Sequence, residues 1–298
     1  MSEVKKQLFI INKFAGTDFE EKLEGRILDA CIRNNAECTI EYTKGRGHAS
    51  ELARQGVQNN FDTVVAVGGD GTVNEVAVGL IGSSIPMGIL PNGSGNGLAR
   101  HLGIPLKLDK ALDCFFEGTV LAMDTFTLND KLSLNVSGIG FDGHISNLFD
   151  KERQRGFWGY FKLVIKEYLN FKEFSSEIII DRQASNDKAF IIAIANSSQY
   201  GNNARISPTA SVSDNLLNVV LLKKVKLTKS IPFAYKMFTG TLSVNDVHSL
   251  VMGKDIKITT LSPVAYHIDG EPRGYANDFV IRINPNSLNV VVPTSKPF

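Results

Sequence analysis

The sequence has few of the features that would place the chain outside the cytosol, across a membrane or on nucleic acid. Its 298 residues include three cysteines, Cys31, Cys38 and Cys114, which lack a CxxC spacing and an even count, so we expect reduced packing residues. The net charge of +1 comes without the basic stripe typical of nucleic-acid binding. Apolar runs stay below the roughly 18 residues of a membrane span, and the N-terminal residues indicate a strand, not a signal peptide. These absences predict a cytoplasmic protein.

The first third of the chain alternates between predicted strands and predicted helices. Each predicted strand ends in a polar or glycine-rich loop, at residues 12–16, 43–47, 68–72 and 91–97. This order is typical of a parallel sheet with helices on its faces, in which ligands bind at the carboxyl ends of the strands. The predicted strands are 7–12, 37–42, 63–67 and 87–90, and the predicted helices are 19–34, 48–59 and 73–81.

The loop with the most chemical content is Gly68 to Glu75, which reads GGDGTVNE. The glycines permit a tight turn and let backbone amides approach a ligand, and the N-terminus of a helix starting at Val73 attracts anions. Asp70 would repel a phosphate unless a cation such as Mg²⁺ lies between them. The loop therefore predicts a site for nucleotide phosphates and their metal. In the alternative interpretation, the glycines only make the turn between a strand and a helix.

After residue 118, short β-rich runs replace the alternation. Turn pairs at Asn129-Asp130 and Ser185-Asn186 separate some of them, as hairpins require. We predict an antiparallel, sandwich-like β domain with two inserted helices. The domain boundaries follow as an α/β domain at 1–120, with 287–298 as a candidate addition to it, and a β-rich domain at 121–286. The predicted strands are 120–129, 131–136, 177–182, 188–196, 216–223, 255–261, 279–283 and 288–292.

One of the inserted helices, predicted at 156–174, has an apolar face with basic residues around it. Trp158 and Tyr160 lie outside its apolar stripe. The helix either covers the core of the sandwich or rests on an anionic bilayer, and the two interpretations are compatible if only Trp158 and Tyr160 face lipid.

Several motifs then occur in a fixed order along nearly the whole chain. They are GGDGTVNEV at 68–76, PNGSGN at 91–96, LSLNVSGIGFD at 132–142, AN to YG at 195–201, ISPTA at 206–210 with Asp214, and HIDGE at 267–271. GGDG alone is shared with NAD kinases and phosphofructokinases, but the combination is specific. The chain resembles the diacylglycerol kinase catalytic-domain family, which includes bacterial soluble lipid kinases and sphingosine kinases. The resemblance implies an α/β domain like those of phosphofructokinases and NAD kinases, followed by an all-β, sandwich-like domain that accepts lipid.

The resemblance implies a kinase that uses ATP and Mg²⁺ to phosphorylate a lipid hydroxyl, on diacylglycerol or a related lipid. Glu271 matches the family's general base, and Asp70 would help hold the catalytic metal. From the residues alone, Asp269-Gly270 before Glu271 equally indicates a hairpin turn. The positions that would contact the nucleotide are Asn12, Thr43, Gly68, Gly69, Asp70, Gly71, Thr72, Val73, Asn74, Glu75 and Ser94.

A second metal site is implied at Ser211, Asp214 and Leu216, where bacterial members hold Mg²⁺ with one carboxylate and two backbone carbonyls. The alternative for Asp214 is an ordinary turn residue. The chain departs from the family at Asn215, where glycine is usual, and at Gly97, where many bacterial members have aspartate. A lipid at a membrane surface is the expected partner, and the sequence leaves room for a peripheral membrane contact and for a homodimer.

Two other functions stay open at this point. An NAD kinase-like enzyme shares GGDG, although such enzymes generally lack the NE that follows here, as well as GSGN and IDGE. The other alternative is not an enzyme: it is a catalytically silent protein that keeps the fold and binds nucleotide or lipid.

Overall fold

A computed structural model of the protein describes residues 4–13, 22–151 and 157–294. Residues 14–16 of the first predicted loop, residues 19–21 of the first predicted helix, and the side chains of Trp158 and Tyr160 lie outside the described residues. Contacts divide the chain into two compact units, residues 1–124 with 285–298 (unit 1) and residues 125–284 (unit 2).

Unit 1 is an α/β domain in which helices follow the strands. Its strands are β1 (Lys5–Ile11), β2 (Ala36–Tyr42), β3 (Thr63–Gly68) and β4 (Met87–Pro91), and its helices are α1 (Leu23–Arg33), α2 (His48–Gln58), α3 (Asp70–Leu80), α4 (Gly97–Leu102) and α5 (Leu108–Glu117).

The strands of unit 1 form a parallel sheet in the order β2-β1-β3-β4, and Val290 near the end of the chain pairs with Met87 at its β4 edge. Every residue of β3 is buried, because helices cover both faces of a parallel sheet and demand a continuous apolar strand. Chain order reverses between β1 and β3, which makes that position the topological switch point of the sheet.

Unit 2 consists of antiparallel strands with helices between them, and the strands β5 and β14 continue across the boundary between the units. The strands are β5 (Thr119–Leu128), β6 (Lys131–Ser133), β7 (Val136–Gly140), β8 (Phe174–Ile180), β9 (Gln183–Ala189), β10 (Ile191–Ala195), β11 (Leu217–Leu222), β12 (Ser249–Gly253), β13 (Asp255–Ile268) and β14 (Glu271–Val292). The helices are α6 (Phe141–Lys151), α7 (Phe157–Asn170), α8 (Leu227–Thr239) and a short 3-10 helix, Val244–Asp246.

The strands of unit 2 pair in the order β12-β11-β10-β7-β13, with β13 also bound to β8 and β14 and with β8 bound to β9. A buried cluster that includes Phe126, Ile192 and Phe279 fills its interior. The predicted fold class, an α/β domain followed by a β sandwich-like domain with inserted helices, is confirmed.

The prediction of two inserted helices is wrong, since three α-helices occur in the described part of unit 2. The additional helix, α8, packs Phe233 and Met237 onto a second buried cluster around Val220. Its sequence contains Pro232, and tertiary packing of its apolar face compensates for that poor helix former.

Several element boundaries also differ from the predictions. The strand predicted at 131–136 is divided between β6 and β7, and the strands predicted at 279–283 and 288–292 are parts of one strand, β14. Helix α3 begins at Asp70 and not at Val73, because Gly69 is already the N-cap and the Asp70 carboxylate suits the positive end of the helix. The strand predicted at 188–196 is interrupted at Phe190, between β9 and β10. The helix predicted to reach residue 174 ends at Asn170, because Phe174 already pairs with Ala189 in the β8–β9 hairpin.

The turn pair at Asn129-Asp130 is confirmed, with φ angles of 48° and 60° between β5 and β6. The turn pair at Ser185-Asn186 is wrong, because both residues lie within β9. The turn falls instead at Asp181 and Arg182, where the Asp181 carboxylate accepts the backbone N–H groups of Lys254 and Asp255. A neighbouring strand therefore determines the position of this turn.

Candidate functional site

The glycine-rich loop after β3 lies at the switch point of the unit 1 sheet. Asn12, directly after β1, donates its side-chain amide to Thr72 Oγ1 at 3.1 Å, and its backbone N–H donates to Val67 O at 3.1 Å. The carboxyl ends of β1 and β3 are thus joined where open α/β sheets bind their ligands. Two predicted nucleotide contacts, Asn12 and Thr72, are in direct contact with each other.

Two glycine loops pack backbone against backbone beside this point. The N–H of Asn92 donates to Gly68 O at 2.8 Å, and a Cβ on Gly93 would come within 2.5 Å of the Gly69 Cα. Asn96 closes the second loop, since its Oδ1 accepts the Gly93 N–H at 3.0 Å while its own backbone has a φ of 50°. Because a side chain on Gly93 would separate the loops, glycine is required there.

Asp70 is held by the second glycine loop. Its Oδ1 accepts the backbone N–H of Gly97 at 2.8 Å, and a Cβ on Gly95 would lie 2.8 Å from its Oδ2. Gly97 is also the first residue of α4, so the Asp70 carboxylate satisfies an amide that the helix itself leaves unpaired. The carboxylate therefore has a defined position in the first turn of α3.

The side chains of Glu75 and Val73 make contacts within unit 1. Glu75 accepts two backbone N–H groups at the start of α2, from Gly47 to Oε1 at 2.8 Å and from Ala49 to Oε2 at 3.2 Å. Its carbonyl accepts the Ser50 hydroxyl at 2.7 Å. Val73 is buried in the core. The Glu75 side chain thus satisfies the N-terminus of a neighbouring helix.

The remaining predicted contacts of unit 1 surround the same sheet edge. Thr43 follows β2 and donates its backbone N–H to Ile11 O at 2.9 Å. Ser94 is exposed at the tip of the second glycine loop, and Asn74 is half-buried on α3. Arg100, on α4, contacts the same loop, since its Nε donates to Gly95 O at 3.0 Å.

Glu271 of unit 2 begins β14, directly after a two-residue hairpin turn. The turn residues Asp269 and Gly270 have φ angles of 50° and 86°, the positive values of a type I′ turn. The sequence-based expectation of a hairpin is therefore met, and the same turn presents Glu271. Its Oε2 lies 3.2 Å from Arg273 Nη2, and its side chain is 39% exposed.

Asp269 ties the turn to the loop that follows β6. Its carboxylate accepts the Ser133 hydroxyl at 2.6 Å, the Leu134 N–H at 2.9 Å and the Asn135 N–H at 3.0 Å. Three donors on one carboxylate make a rigid junction, since hydrogen bonds to an ionised acceptor are about twice as strong as neutral ones.

Helix α6 supports the hairpin from its other side. Ser146 donates its hydroxyl to Gly270 O at 2.7 Å, and Asn147 Oδ1 accepts the Gly274 N–H at 3.0 Å. Asn147 also donates to Gly143 O at 2.7 Å and is buried. These contacts fix the backbone on each side of Glu271.

A partly buried polar group centred on Asp142 completes this support. His267 Nδ1 accepts the Gly270 N–H at 3.1 Å, and its Nε2 lies 3.4 Å from Asp142 Oδ2. The same oxygen accepts the Tyr200 hydroxyl at 3.0 Å. A Cβ on Gly138 would overlap this carboxylate, so glycine leaves the space that the group occupies.

The turn predicted to hold a second metal lies between Ala210 and β11. Asp214 Oδ1 accepts the Leu216 N–H at 3.0 Å, and Asn215 has a φ of 61°. Asparagine tolerates this left-handed conformation better than most residues, which explains how it stands where the family usually has glycine. An oxygen-only donor set of one carboxylate and backbone carbonyls has the chemistry that suits Mg²⁺. In the described ranges, no three His, Cys, Asp or Glu side chains cluster as metal ligands.

The chain matches two known domain families, one after the other along the sequence. The profile of the diacylglycerol kinase catalytic domain matches residues 6–128, and that of the YegS C-terminal NAD kinase beta sandwich-like domain matches residues 135–292. The chain belongs to the diacylglycerol kinase family of lipid kinases.

Individual relatives extend over nearly the whole chain. A "Diacylglycerol kinase" of Bacillus subtilis is 24% identical over 98% of both chains, and a "Probable lipid kinase YegS-like" of Citrobacter koseri is 29% identical over 88% of both. A crystal structure of a diacylglycerol kinase from Bacillus anthracis has the same fold, with a TM-score of 0.79, 22% identity and 99% coverage of both chains. No helix among the described residues is long and apolar enough to cross a bilayer.

Ser146 and Asn147, which hold the Glu271 hairpin from α6, were not predicted from the sequence. Ser146 lies four positions after Asp142 on α6, a spacing that places these two polar residues on one face of a helix, and Asn147 follows Ser146. These polar residues on a helix that packs on β13 were the feature of the sequence that could have indicated contacts to the hairpin.

Proposed function

We propose that this chain transfers the terminal phosphoryl group of ATP to the hydroxyl group of a lipid, diacylglycerol or a close relative. The observation that carries the proposal is the pair of glycine loops packed together at the switch point of the unit 1 sheet, with Asp70 held between them. A turn that needed glycine only for its own shape would not require a second glycine loop against it.

The phosphates of ATP would bind at the start of α3. The first intrahelical bond runs from the Val73 N–H to Gly69 O at 3.1 Å, so the N–H groups of Gly71 and Thr72 lie in the first turn, ahead of the helix's own hydrogen-bond ladder. These donors and the helix dipole favour an anion at the N-terminus. Asn12 and Thr72, in mutual contact, define one wall of this region.

Mg²⁺ would be held near Asp70 and, as a second ion, at the turn of Asp214. When bound, the ion neutralises charge on the transferring phosphate. The role of this chain is to keep Asp70 in place, through the Gly97 amide, so that a carboxylate next to phosphate is paired with a cation instead of repelling the nucleotide.

Glu271 would accept the proton of the acceptor hydroxyl. The acceptor oxygen then bonds to the terminal phosphorus, the bond from phosphorus to the bridging oxygen breaks, and ADP leaves. Such a base needs a fixed position, and the contacts of Asp269, Ser146 and His267 provide it.

The experiment is a thin-layer assay with ATP labelled in its terminal phosphate and a panel of acceptors that includes diacylglycerol, a sphingoid base and NAD. We expect label in a lipid, and loss of at least a hundredfold in rate for Glu271→Gln with ATP binding retained. Glu177→Gln, an exposed glutamate on β8 of the same unit, is the matched control and should keep full activity.

Two outcomes would overturn the proposed reaction, and a third would overturn only the role of Glu271. Label in NAD would make the chain an NAD kinase. ATP binding without transfer to any acceptor would make it a silent nucleotide-binding protein. Full activity of Glu271→Gln would remove Glu271 as the base while leaving the reaction itself in place.

A further inference from the structure

Two of the three cysteines, Cys31 and Cys38, meet where α1 packs on β2. Cys31 lies on the buried face of α1, four residues after Ile27, and is 1% exposed. Cys38 is half-buried and lies on the face of β2 that, with Ile40, packs onto the same apolar cluster as α1. Because both faces contribute to one cluster, the thiols are neighbours, and the Cys31 S–H donates a hydrogen bond to Cys38 Sγ.

The turn between α1 and β2 holds the two cysteines together, although they are seven positions apart in the sequence. The backbone N–H and the side-chain amide of Asn34 both donate to Ala30 O, at 3.1 and 2.9 Å. Asn35 then reverses the chain with a φ of 50°, and β2 pairs with β1 along its whole length. Both thiols are therefore attached to backbone with a defined position.

The two thiols differ in reactivity. The hydrogen bond from Cys31 lowers the pKa of the Cys38 thiol, which favours the thiolate, the nucleophilic form of cysteine. The same hydrogen bond, together with burial, raises the pKa of Cys31. The third cysteine, Cys114 on α5, has a pKa raised by burial and by the charge of Glu117. Cys38 is thus the thiol best suited to react first.

We propose that Cys31 and Cys38 form a redox-active dithiol, which a peroxide oxidises to an intramolecular disulfide. The Cys38 sulfur bonds to one peroxide oxygen, the O–O bond breaks, and the other oxygen leaves as water with the thiol proton. The Cys31 sulfur then bonds to the Cys38 sulfur, the S–O bond breaks, and a second water leaves with the Cys31 proton. The thiols lose two electrons, and the peroxide is reduced to two waters. This inference does not depend on the proposed kinase activity.

A structural metal ion fits this pair less well than a disulfide. Structural zinc sites use four protein ligands. Within residues 4–13, 22–151 and 157–294, no third His, Cys, Asp or Glu side chain joins the two thiols as a metal ligand. A disulfide requires only the two sulfurs. In reducing compartments such bonds are usually transient and catalytic or redox-sensing.

Peptide mapping after oxidation of the full-length protein tests the site. Reduced protein is freed of reductant, treated with hydrogen peroxide and alkylated with N-ethylmaleimide. Trypsin cuts after Arg33, between the two cysteines, so the disulfide would join peptides 27–33 and 34–44. We expect this joined pair of peptides, a fall from three alkylated thiols to one, and reversal by dithiothreitol. Three alkylated thiols after peroxide, or a disulfide that includes Cys114, would refute the proposal.

Cysteine variants separate the two steps. In Cys31→Ser the reaction should stop at the sulfenic acid of Cys38, which dimedone traps, whereas in Cys38→Ser the buried Cys31 should react with peroxide about tenfold more slowly. Cys114→Ser is the matched control and should form the disulfide as fast as the unchanged protein. Oxidation of Cys31 in Cys38→Ser as fast as that of Cys38 in Cys31→Ser would overturn Cys38 as the sulfur that attacks the peroxide.

Thermal unfolding provides a second measurement. The disulfide closes a short loop at the edge of unit 1 and should raise the melting temperature by about 5 °C, because it restricts the unfolded chain. The rise should also occur in Cys114→Ser and be absent in Cys38→Ser. An unchanged or lower melting temperature in protein that contains the disulfide would show that the junction is not built to hold this bond, and would overturn the proposal.

Discussion

Replacement of Glu75 by alanine separates two roles that this glutamate could have. The sequence places Glu75 among the nucleotide contacts, whereas in the structure its carboxylate accepts the Gly47 and Ala49 N–H groups at 2.8 and 3.2 Å. Alanine would leave two amides at the start of α2 without these acceptors. The contact between Ser50 and the Glu75 carbonyl at 2.7 Å does not depend on the side chain and should remain.

The expected loss in the free energy of unfolding is about 2 kcal/mol. Loss of a helix N-terminal acceptor costs about 1 kcal/mol, and two hydrogen bonds to a charged group raise that value, while water at the half-buried site limits it. For a unit of this size the melting temperature should fall by about 4 to 8 °C. Glu75→Gln retains an acceptor for the Gly47 N–H and should lose less than half as much.

Thermal unfolding followed by circular dichroism measures the loss of stability in Glu75→Ala, and calorimetric titration with ATP measures its nucleotide binding. We expect ATP affinity to change by less than threefold. The matched control is Glu51→Ala, which removes an exposed glutamate from the first turn of α2. Its free energy of unfolding should be within about 0.5 kcal/mol of that of the unchanged protein. An unchanged melting temperature with a tenfold loss of ATP affinity would refute the structural role and restore Glu75 to the nucleotide site.

Three further predictions concern unit 2. Gly138→Ala should lower stability by about 2 kcal/mol in thermal unfolding, because its Cβ would overlap the Asp142 carboxylate; an unaltered melting temperature would show that Asp142 moves freely. Asp269→Ala should lower the free energy of unfolding by about 3 kcal/mol, since three donors lose their acceptor. It should also reduce lipid kinase activity, and full activity would contradict a role for this turn in positioning Glu271. The hydrogen bond from the Lys236 ammonium lowers the pKa of Asp246 to about 2. The contact between these two side chains therefore stabilises the folded protein above about pH 4, and this stabilisation disappears as the pH falls through 2. Carboxyl NMR titration should show this pKa, and it should rise towards the usual value in Lys236→Gln.

The departures of this chain from its family have a physical explanation in the structure. Asn215 occupies a left-handed conformation, φ 61°, that glycine adopts without cost and asparagine with little. At position 97 the contact to Asp70 is made by a backbone N–H, which every residue except proline supplies. Neither substitution therefore disturbs the local backbone.

Local pattern was enough to predict the four parallel strands of unit 1 and the helices α1, α2 and α3, but not α4 and α5. A β-branched run, three glycines and a following helical period are contained within about twenty residues, from Thr63 to Gly82, and the structure has β3, Gly69 and α3 there. The hairpin at Asp269-Gly270 was predictable for the same reason, because a two-residue turn depends on the φ preferences of its own residues.

Contacts between distant parts of the chain were decided only by the tertiary structure. Glu75 accepts amides 26 and 28 positions away, and Asp269 accepts donors 134 to 136 positions away, distances over which sequence periodicity carries no information. The β8–β9 turn formed at Asp181 and not at Ser185 because a neighbouring strand supplied its partners. The sequence by itself determined where the parallel strands, the glycine turn after β3 and the helices α1 to α3 form, since these depend on local backbone preference and apolar period. The fold decided which polar side chains meet, because a buried hydrogen bond needs a partner that only packing can bring to it.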